Sequence, residues 1–594
     1  MPTMNLLKSS HINFLWTDLI VEELVRNGAD YFCVAPGSRS APLAVAVSRN
    51  PRAKAFVHFD ERGLGFHALG YTAATRRPAV IITTSGTAVA NLFPAVIEAA
   101  KKKLPLILLT ADRPPELRKA GANQTIDQPG IFGPYARWSF DMPCPTTDIG
   151  PEFVLTTMDQ AVHQTRTNPP APVHVNCMFR EPLAPEGQTA DFSEYLKPLE
   201  RWLAGSTPYT DYVVPERTIP EDRLEDILAR IRAIKSGIIA VGKLSGPDER
   251  EAVLKLSEKL YWPIVPDITS GLRLGNQHQN VIHYFDQLLL DNELMKQIPV
   301  DGVIHIGGRM TSKRWYPFIE SRRPKEYIMV LNHPLRNDPL HNVTARVDGE
   351  IGPICQSLAA AIPARKDNKP CFQLQSASQG VKETIETFLT DKALLSEPAV
   401  ARLVSKYLPA DSTLFLANSM PIRDMDMYAA EHKNPVLISA NRGASGIDGN
   451  IAAAAGFAKG AQTPLTLMIG DLAFLHDLNS LGTVKSLDQP AVIVVLNNNG
   501  GGIFSFLPVA DVGEGFEKYF GTPHHLTFDH AAQLFHLDYV HPKTPKEFTA
   551  VYQQALKTKT STVIEIINTR EDNLKHHQDI QGAILEKLKK YRKG

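Results

Sequence analysis

The chain has 594 residues, too many for one hydrophobic core, and at roughly 150 to 200 residues per domain it should divide into about three or four domains. Hydrophobic residues make up 43% and charged residues 21%, proportions that exclude a disordered or coiled-coil chain. Lys plus Arg equals Asp plus Glu at 63 each, so no net field favours nucleic acid or an anionic membrane, and neither is expected as a partner.

The start, "MPTMNLLKSSHINFLW", has no charged segment followed by a long apolar one, and no apolar run reaches the ~18 residues of a membrane span. A cytoplasmic protein without an integral membrane segment is expected. Cys33, Cys144, Cys177, Cys355 and Cys371 are scattered without a C-x-x-C pair, and they read as buried free thiols.

Between 31 and 175 short apolar runs ("YFCVA", "PAVIITT", "PLILLTAD", "APVHVNC") alternate with amphipathic stretches such as "APLAVAVSRN" and "TAVANLFPAVIEAAKKK". Continuous apolar strands separated by helices predict a parallel sheet covered on both faces. The pattern restarts near 220 with "EDRLEDILARIRAI", "GIIAVG", "PDEREAVLKLSEKL", "WPIVP", "GVIHIG" and "YIMVLN". It restarts again near 396 with "STLFLAN", "PLTLMIG", "PAVIVVLN" and "STVIEII". The expected fold is α/β, with three doubly wound parallel-sheet domains at 1–185, 216–365 and 396–575. Polar, Pro- or Gly-containing stretches at 186–215 and 366–395 read as linkers, and 576–594 as a basic tail. The pairs His524-His525 and His576-His577 lack metal-ligand spacing and read as polar loop or tail.

In open parallel sheets ligands bind at the carboxyl ends of strands. "PLTLMIG" ends at Gly470-Asp471, and the next apolar run ends in "LNNNGGGIF". Between them Leu472, Leu475, Leu478 and Leu481 have the spacing of a helix with one buried face. A carboxylate from Asp471, a carboxamide oxygen from Asn498 and the Gly500 carbonyl would make hard donors for Mg²⁺, with phosphate and water in the remaining positions. Glycines at 500 to 502 would let the backbone approach an anion.

Gly470-Asp471 followed 27 residues later by Asn498 resembles the signature of thiamine diphosphate enzymes, Gly-Asp-Gly and then Asn-Asn after roughly 25 to 30 residues. The sequence departs from it at Leu472, which stands where the third Gly belongs. The resemblance implies thiamine diphosphate and Mg²⁺, for which Mn²⁺ can substitute, and names the three domains pyrimidine-binding, central and pyrophosphate-binding. It also implies a glutamate that hydrogen-bonds the cofactor's aminopyrimidine. Glu61 in "VHFDERGLGFHALGYTAA" fits, at the start of a helix whose Gly63, Gly65 and Ala68 permit close approach; read alone, it is a helix-start carboxylate favoured by the macrodipole. Ile447 in "NRGASGIDGN" matches the apolar residue under the bent cofactor, and Ile503 and Phe504 would line its pocket.

Arginines also stand in Gly, Ser or Pro contexts at predicted strand ends: Arg39, Arg113, Arg423 and Arg442, with Lys313 and Arg314 after "GVIHIG". Together they suit a substrate with several carboxylates. "APGSRSAPL", "HFDERGLGFHALG", "LTADRPPELRKAGANQTIDQPGIFG", "NSMPIRD" and "NRGASGIDGN" are similar to one branch, the menaquinone-pathway synthases of 2-succinyl-5-enolpyruvyl-6-hydroxy-3-cyclohexene-1-carboxylate. That branch decarboxylates 2-oxoglutarate and adds the resulting succinic semialdehyde unit to isochorismate, a C–C bond-forming transfer. Carried over position by position, its substrate contacts fall on Ser38, Arg39, Arg113, Asn123, Gln124, Lys313, Arg314, Ser419, Arg423 and Arg442. The resemblance further implies a homodimer or dimer of dimers with active sites between subunits. Two other readings stay open: a 2-oxoacid decarboxylase or acetolactate synthase type, and a nucleotide-binding regulator using "GIIAVGKLSG", which lacks G-x-G-x-x-G.

Overall fold

The computed structural model describes residues 7–185, 189–365, 369–390, 394–432 and 434–592. The N-terminal hexapeptide, 186–188 of the first expected linker, 366–368 and 391–393 of the second, and the last two residues of the tail lie outside them. Three parallel sheets form, as the alternation of apolar runs and amphipathic helices predicts. The first runs in the order Lys54–Val57, Tyr31–Val34, Ala79–Thr83, Leu106–Asp112, Val173–Met178, Trp138–Met142. The second is Ile264–Pro266, Gly237–Val241, Gly302–Ile306, Glu326–Leu331, Ala345–Asp348. The third is Leu437–Ser439, Thr413–Leu416, Leu465–Gly470, Ala491–Asn497, Thr562–Ile567, Asp538–Val540.

Both faces of the central strands are covered. In the second sheet Ile238 and Ala240 enter one core while Ile239 and Val241 enter another, which is why these strands read as unbroken apolar runs. Five strands escape the sequence reading: Lys54–Val57, Trp138–Met142, Ala345–Asp348, Leu437–Ser439 and Asp538–Val540. All are sheet edges with exposed or half-buried residues, so no apolar run marks them.

The first and third sheets share one topology. Numbered within its own domain, each has the strand order 2-1-3-4-6-5. In such an order the chain leaves strand 1 toward one side and strand 3 toward the other, so their carboxyl-terminal loops diverge and open a crevice. In the first domain that crevice lies beyond Val34 and Thr83, and in the third beyond Leu416 and Gly470.

Three assignments change. Of 186–215, residues 190–204 are packed structure: Ala190–Asp191 pairs with Lys8–Ser9, and Leu196, Leu199 and Trp202 are buried in the first domain's core, with the Trp202 indole donating to Glu23 at 2.5 Å, while 205–215 is irregular and largely exposed. The stretch 366–395 contains a helix, Lys369–Thr390, whose Leu374, Ala377, Val381, Ile385 and Leu389 form a buried stripe. Their spacing of three and four is helical, but the stripe lies within a stretch of mixed polar composition that conceals it. The expected tail is the second half of the helix Arg570–Leu588, whose Ile580, Ile584 and Leu588 pack into the same core. The cysteines are buried and free, as expected. Among the described residues no helix is long and apolar enough to cross a membrane.

Two compact units result: 1–214 with 441–462 and 476–488, and 215–440 with 463–475 and 489–594. In the first, the helix Glu61–Thr75 lies against Asn450–Ala461 so closely that a Cβ on Gly70 would overlap the Ala453 carbonyl and one on Gly456 the His67 carbonyl. This close approach explains Gly70 of "RGLGFHALG" and Gly456 and Gly460 of "AAAAGFAKG". An open helical Gly→Ala gains up to about 1 kcal/mol, as expected at Gly582, which has nothing within 4 Å of its Cβ position. At Gly456 overlap reverses the sign, and Gly456→Ala should lose roughly 1–3 kcal/mol. Thermal unfolding checks both: a lower midpoint for Gly456→Ala, an equal or higher one for Gly582→Ala.

Candidate functional site

The residues singled out from sequence fall into two groups, one in each compact unit. In the second unit, strand Leu465–Gly470 delivers Asp471 to the start of a short helix, with open space over Gly470. Asp471 is buried, and its Oδ1 accepts the Leu472 N–H at 2.6 Å while Oδ2 accepts the Gly500 N–H at 2.8 Å. His524 Nε2 lies 3.2 Å from the same Oδ2. Burial raises the Asp471 pKa, against the opposing pull of these donors. The leucine stripe is only partly as expected. The helix ends at His476, and Leu472, Leu475 and Leu478 are half-buried while Phe474, Asp477, Ser480 and Leu481 are buried.

The three asparagines have three tasks. Asn497 donates to Glu565 at 2.6 Å and to the Leu526 carbonyl at 2.9 Å, and accepts the Asn499 N–H, so it locks the turn. Asn499, at φ 62°, accepts the N–H groups of His524 and His525 at 3.0 and 2.7 Å. Asn498 donates to Glu397 Oε1 at 2.8 Å, while its Oδ1 is buried without a hydrogen-bond partner among the described residues.

The glycines differ from expectation. A Cβ on Gly500 would overlap the Gly521 carbonyl, one on Gly501 the Phe520 carbonyl, and one on Gly502 the Asn498 carboxamide. They admit the chain's own 520–521 segment, and Gly501 N–H donates to Gly521 at 2.7 Å. Anion approach is not what requires them.

Asp471, the unpartnered Asn498 Oδ1 and the Gly500 carbonyl are oxygen donors of the kind Mg²⁺ takes. A buried amide oxygen with no partner is costly unless something else bonds it, so the donor set fits a cation. Among the described residues no group of three or more His, Cys, Asp or Glu side chains could hold a metal, so such an ion would need phosphate or water to complete its shell. Leu472 is half-buried, as are Ile503 and Phe504 in the turn Gly502–Phe506. Phe504 meets the Phe520 ring edge-on at 5.6 Å.

At the third domain's crevice Ser419 adopts φ 74°, ψ −129°, a conformation non-glycine residues rarely take, and starts the helix Met420–Tyr428. Arg423 bonds the Ser419 carbonyl. Lys313 is exposed; partial desolvation and then the charge of Arg423 lower its pKa. Arg314 is ion-paired to Asp286 at 2.6 Å and so offers less positive charge than its sequence context implies.

In the first unit the equivalent crevice carries Ser38, exposed, and Arg39, buried, whose guanidinium donates to the Phe179 carbonyl at 2.9 Å and lies 3.4 Å from Glu181. Burial, then the neighbouring Arg113, lowers the Arg39 pKa. Arg113 donates to Ser85 Oγ and to the Asn123 carbonyl, both at 2.9 Å, and Gln124, at φ 56°, donates to the Ser85 carbonyl at 3.0 Å. Glu61 is half-buried at the first position of a helix capped by Asp60 and accepts from Asn91 at 3.4 Å. Arg442 and Ile447 sit on the loop before Asn450–Ala461, Ile447 being 40% exposed. Glu98 holds that loop, accepting the N–H groups of Gly443, Ala444 and Ser445 at 2.8, 2.6 and 3.4 Å.

Sequence reasoning missed Glu98, Glu397, His524 and Glu565. Glu397 follows a helix cap, Ser396, and looks like any helix-start acid; burial, then the nearby Asp424 carboxylate, pushes its pKa up to about 8. The His pairs are corrected too. His524 stands beside Asp471, and His577 is buried, with Nδ1 3.0 Å from the Tyr428 hydroxyl and Nε2 3.2 Å from Asp424.

Three family models match the chain: "Thiamine pyrophosphate enzyme, N-terminal TPP binding domain" over 16–131, "Middle domain of thiamine pyrophosphate" over 193–416, and "Thiamine pyrophosphate enzyme, C-terminal TPP binding domain" over 424–566. A 2-succinyl-5-enolpyruvyl-6-hydroxy-3-cyclohexene-1-carboxylate synthase of Rubrobacter xylanophilus is 48% identical over 572 residues, 96% of this chain and 98% of that one. The enzyme of the same name from Salinibacter ruber is 42% identical over 582 residues, 98% of each chain. A crystal structure assigned as a thiamin diphosphate-dependent enzyme of Mycobacterium smegmatis superposes with a TM-score of 0.69 over 93% of this chain and 99% of that one; at 18% identity it speaks to the fold alone. With its three matched domains and full-length relatives, the chain belongs to the thiamine pyrophosphate enzymes, in the family of the 2-succinyl-5-enolpyruvyl-6-hydroxy-3-cyclohexene-1-carboxylate synthases.

Proposed function

We propose that this chain, with thiamine diphosphate and Mg²⁺, decarboxylates 2-oxoglutarate and joins the remaining four-carbon unit to isochorismate, giving 2-succinyl-5-enolpyruvyl-6-hydroxy-3-cyclohexene-1-carboxylate and CO2. The observation that carries the reading is the pairing, at adjoining strand ends, of the Asp471 carboxylate with a buried Asn498 oxygen that has no partner among the described residues. The names of the full-length relatives supply the product.

When bound, thiamine diphosphate supplies the carbon acid that takes up the 2-oxo acid and accepts the electron pair left as CO2 departs. Asp471, Asn498 and the Gly500 carbonyl, in the 396–575 domain, would hold the ion and, through it, the cofactor. Glu61, in the 1–185 domain, would hydrogen-bond the aminopyrimidine through its carboxyl. Ile447, Ile503 and Phe504 provide apolar surface for the cofactor, and Gly470 leaves room beside it. Arg39, Arg113, Lys313, Arg423 and Arg442 bind substrate carboxylates as charge-assisted donors, helped by Ser38, Asn123, Gln124 and Ser419. Within the 216–365 domain Arg314 is paired with Asp286, which makes it a weaker carboxylate ligand than the others. A homodimer or dimer of dimers, with sites completed by a second copy, suits the exposure of Val57 and Phe59 just before Glu61, 63% and 67%. We place the protein in the cytoplasm.

Purified protein with Mg²⁺, thiamine diphosphate, 2-oxoglutarate and isochorismate should release CO2 and the adduct in equal amounts, and little CO2 without isochorismate. Free release of CO2 from 2-oxoglutarate alone would favour a simple decarboxylase. Glu61→Gln should slow exchange of the thiazolium C2 proton of bound cofactor by a factor on the order of 10² or more, read by quench and NMR. Normal exchange would remove Glu61 from its role.

A further inference from the structure

A metal ligand that is a carboxamide carries an ambiguity that a carboxylate does not. Its oxygen and nitrogen are nearly the same size, and only one can bind a cation. Something must fix which one faces the ion. Asn498 hangs from the last turn of a buried strand end, where its neighbours Asn497 and Asn499 are each tied down by their own hydrogen bonds. Its nitrogen donates to Glu397 Oε1 at 2.8 Å, and Glu397, 0% exposed, begins the helix Glu397–Tyr407 on the far side of the sequence from the metal motif.

We propose that Glu397 is the positioning residue for the metal site: by accepting from Asn498 Nδ2 it turns Asn498 Oδ1 toward the cation. The inference rests on the metal reading above. A carboxyl group keeps an acceptor oxygen whether or not it is protonated, so Asn498 Nδ2 can donate to Glu397 in either state. The opposite rotamer would set the Asn498 oxygen against the Glu397 oxygen and aim an N–H group at the ion. Glu397 itself is held in a buried polar layer with Asp424 and Asn573 beside it, and Asp424 in turn lies 3.2 Å from His577. Its Oε2 has no hydrogen-bond partner among the described residues, so a donor placed there would be tolerated. The C-terminal helix that carries Asn573 and His577 thereby backs the metal loop. Outer-shell partners of this kind orient first-shell ligands, and their loss weakens metal binding on the order of 10- to 100-fold.

The test uses two variants of full-length protein. Glu397→Met keeps the length and removes the acceptor; Glu397→Gln keeps an acceptor oxygen for Asn498 and turns an amide donor toward Asp424. Each is titrated with Mg²⁺ at saturating thiamine diphosphate, following calorimetric heat and the metal-dependent rise in unfolding midpoint, after the unliganded midpoint has been recorded. We expect Glu397→Met to need about 10-fold or more Mg²⁺ for half saturation and Glu397→Gln to stay within about 3-fold of wild type. Wild-type Mg²⁺ affinity in Glu397→Met would overturn the proposal, as would equal loss in both variants, which would mark a packing role. Asp471→Ala is the control: if it too binds Mg²⁺ normally, the metal reading itself fails and takes this inference with it.

Discussion

A single hydrogen bond, from the Gly500 N–H to Asp471 Oδ2 at 2.8 Å, joins the loops that leave two neighbouring parallel strands. Parallel strands end on the same side of a sheet, so their loops are adjacent by construction, but adjacency alone does not align side chains. The Asp471 carboxylate does this by accepting from both loops, its own through Leu472 and the next through Gly500. At the end of the neighbouring strand the buried Asn498 oxygen has no hydrogen-bond partner among the described residues.

Such an arrangement withholds bonding from a buried polar atom, and an unsatisfied buried acceptor destabilises by about 1–3 kcal/mol. The surrounding layer compensates with satisfied groups. Glu565 accepts from Asn497, the Phe528 N–H and the Tyr539 hydroxyl, and Asn499 caps the 524–525 backbone. The loop that carries Arg442 and Ile447 follows the same logic, with three backbone N–H groups converging on the buried Glu98 carboxylate. In both places a buried acid that touches no expected ligand fixes residues that do.

The repeated strand order of the first and third sheets gives this chemistry its distribution. Each domain has one crevice between its first and third strands, and each crevice carries a Ser-bearing loop and an Arg: Ser38 and Arg39 in one, Ser419 and Arg423 in the other. In the first domain backbone carbonyls orient the guanidinium, as the Phe179 carbonyl does for Arg39 and Asn123 for Arg113. In the third, a strained Ser419 supplies the carbonyl for Arg423. A carbonyl leaves the guanidinium charge uncompensated, whereas Arg314 meets the Asp286 carboxylate at 2.6 Å and Arg39 also lies 3.4 Å from Glu181.

The sequence alone determined the three sheets, their central strands and the ligand-bearing strand ends. Those features are written in continuous apolar runs and in Asn, Gly and Asp placed where such runs stop, because a strand covered on both faces is built mainly of apolar residues. Five edge strands carried no such mark, since one side of each has no neighbour and its residues remain partly exposed; the sixth, Ile264–Pro266, is buried and was legible as an apolar run. The helix Lys369–Thr390 and the end of Arg570–Leu588 passed for linker and tail because mixed polar composition concealed a one-sided stripe. Only the tertiary structure decided what Glu98, Glu397 and Glu565 do. A buried acid is defined by the donors that reach it from distant segments, 345 positions away for Glu98 and Gly443 and 101 for Glu397 and Asn498, and no local pattern records that meeting.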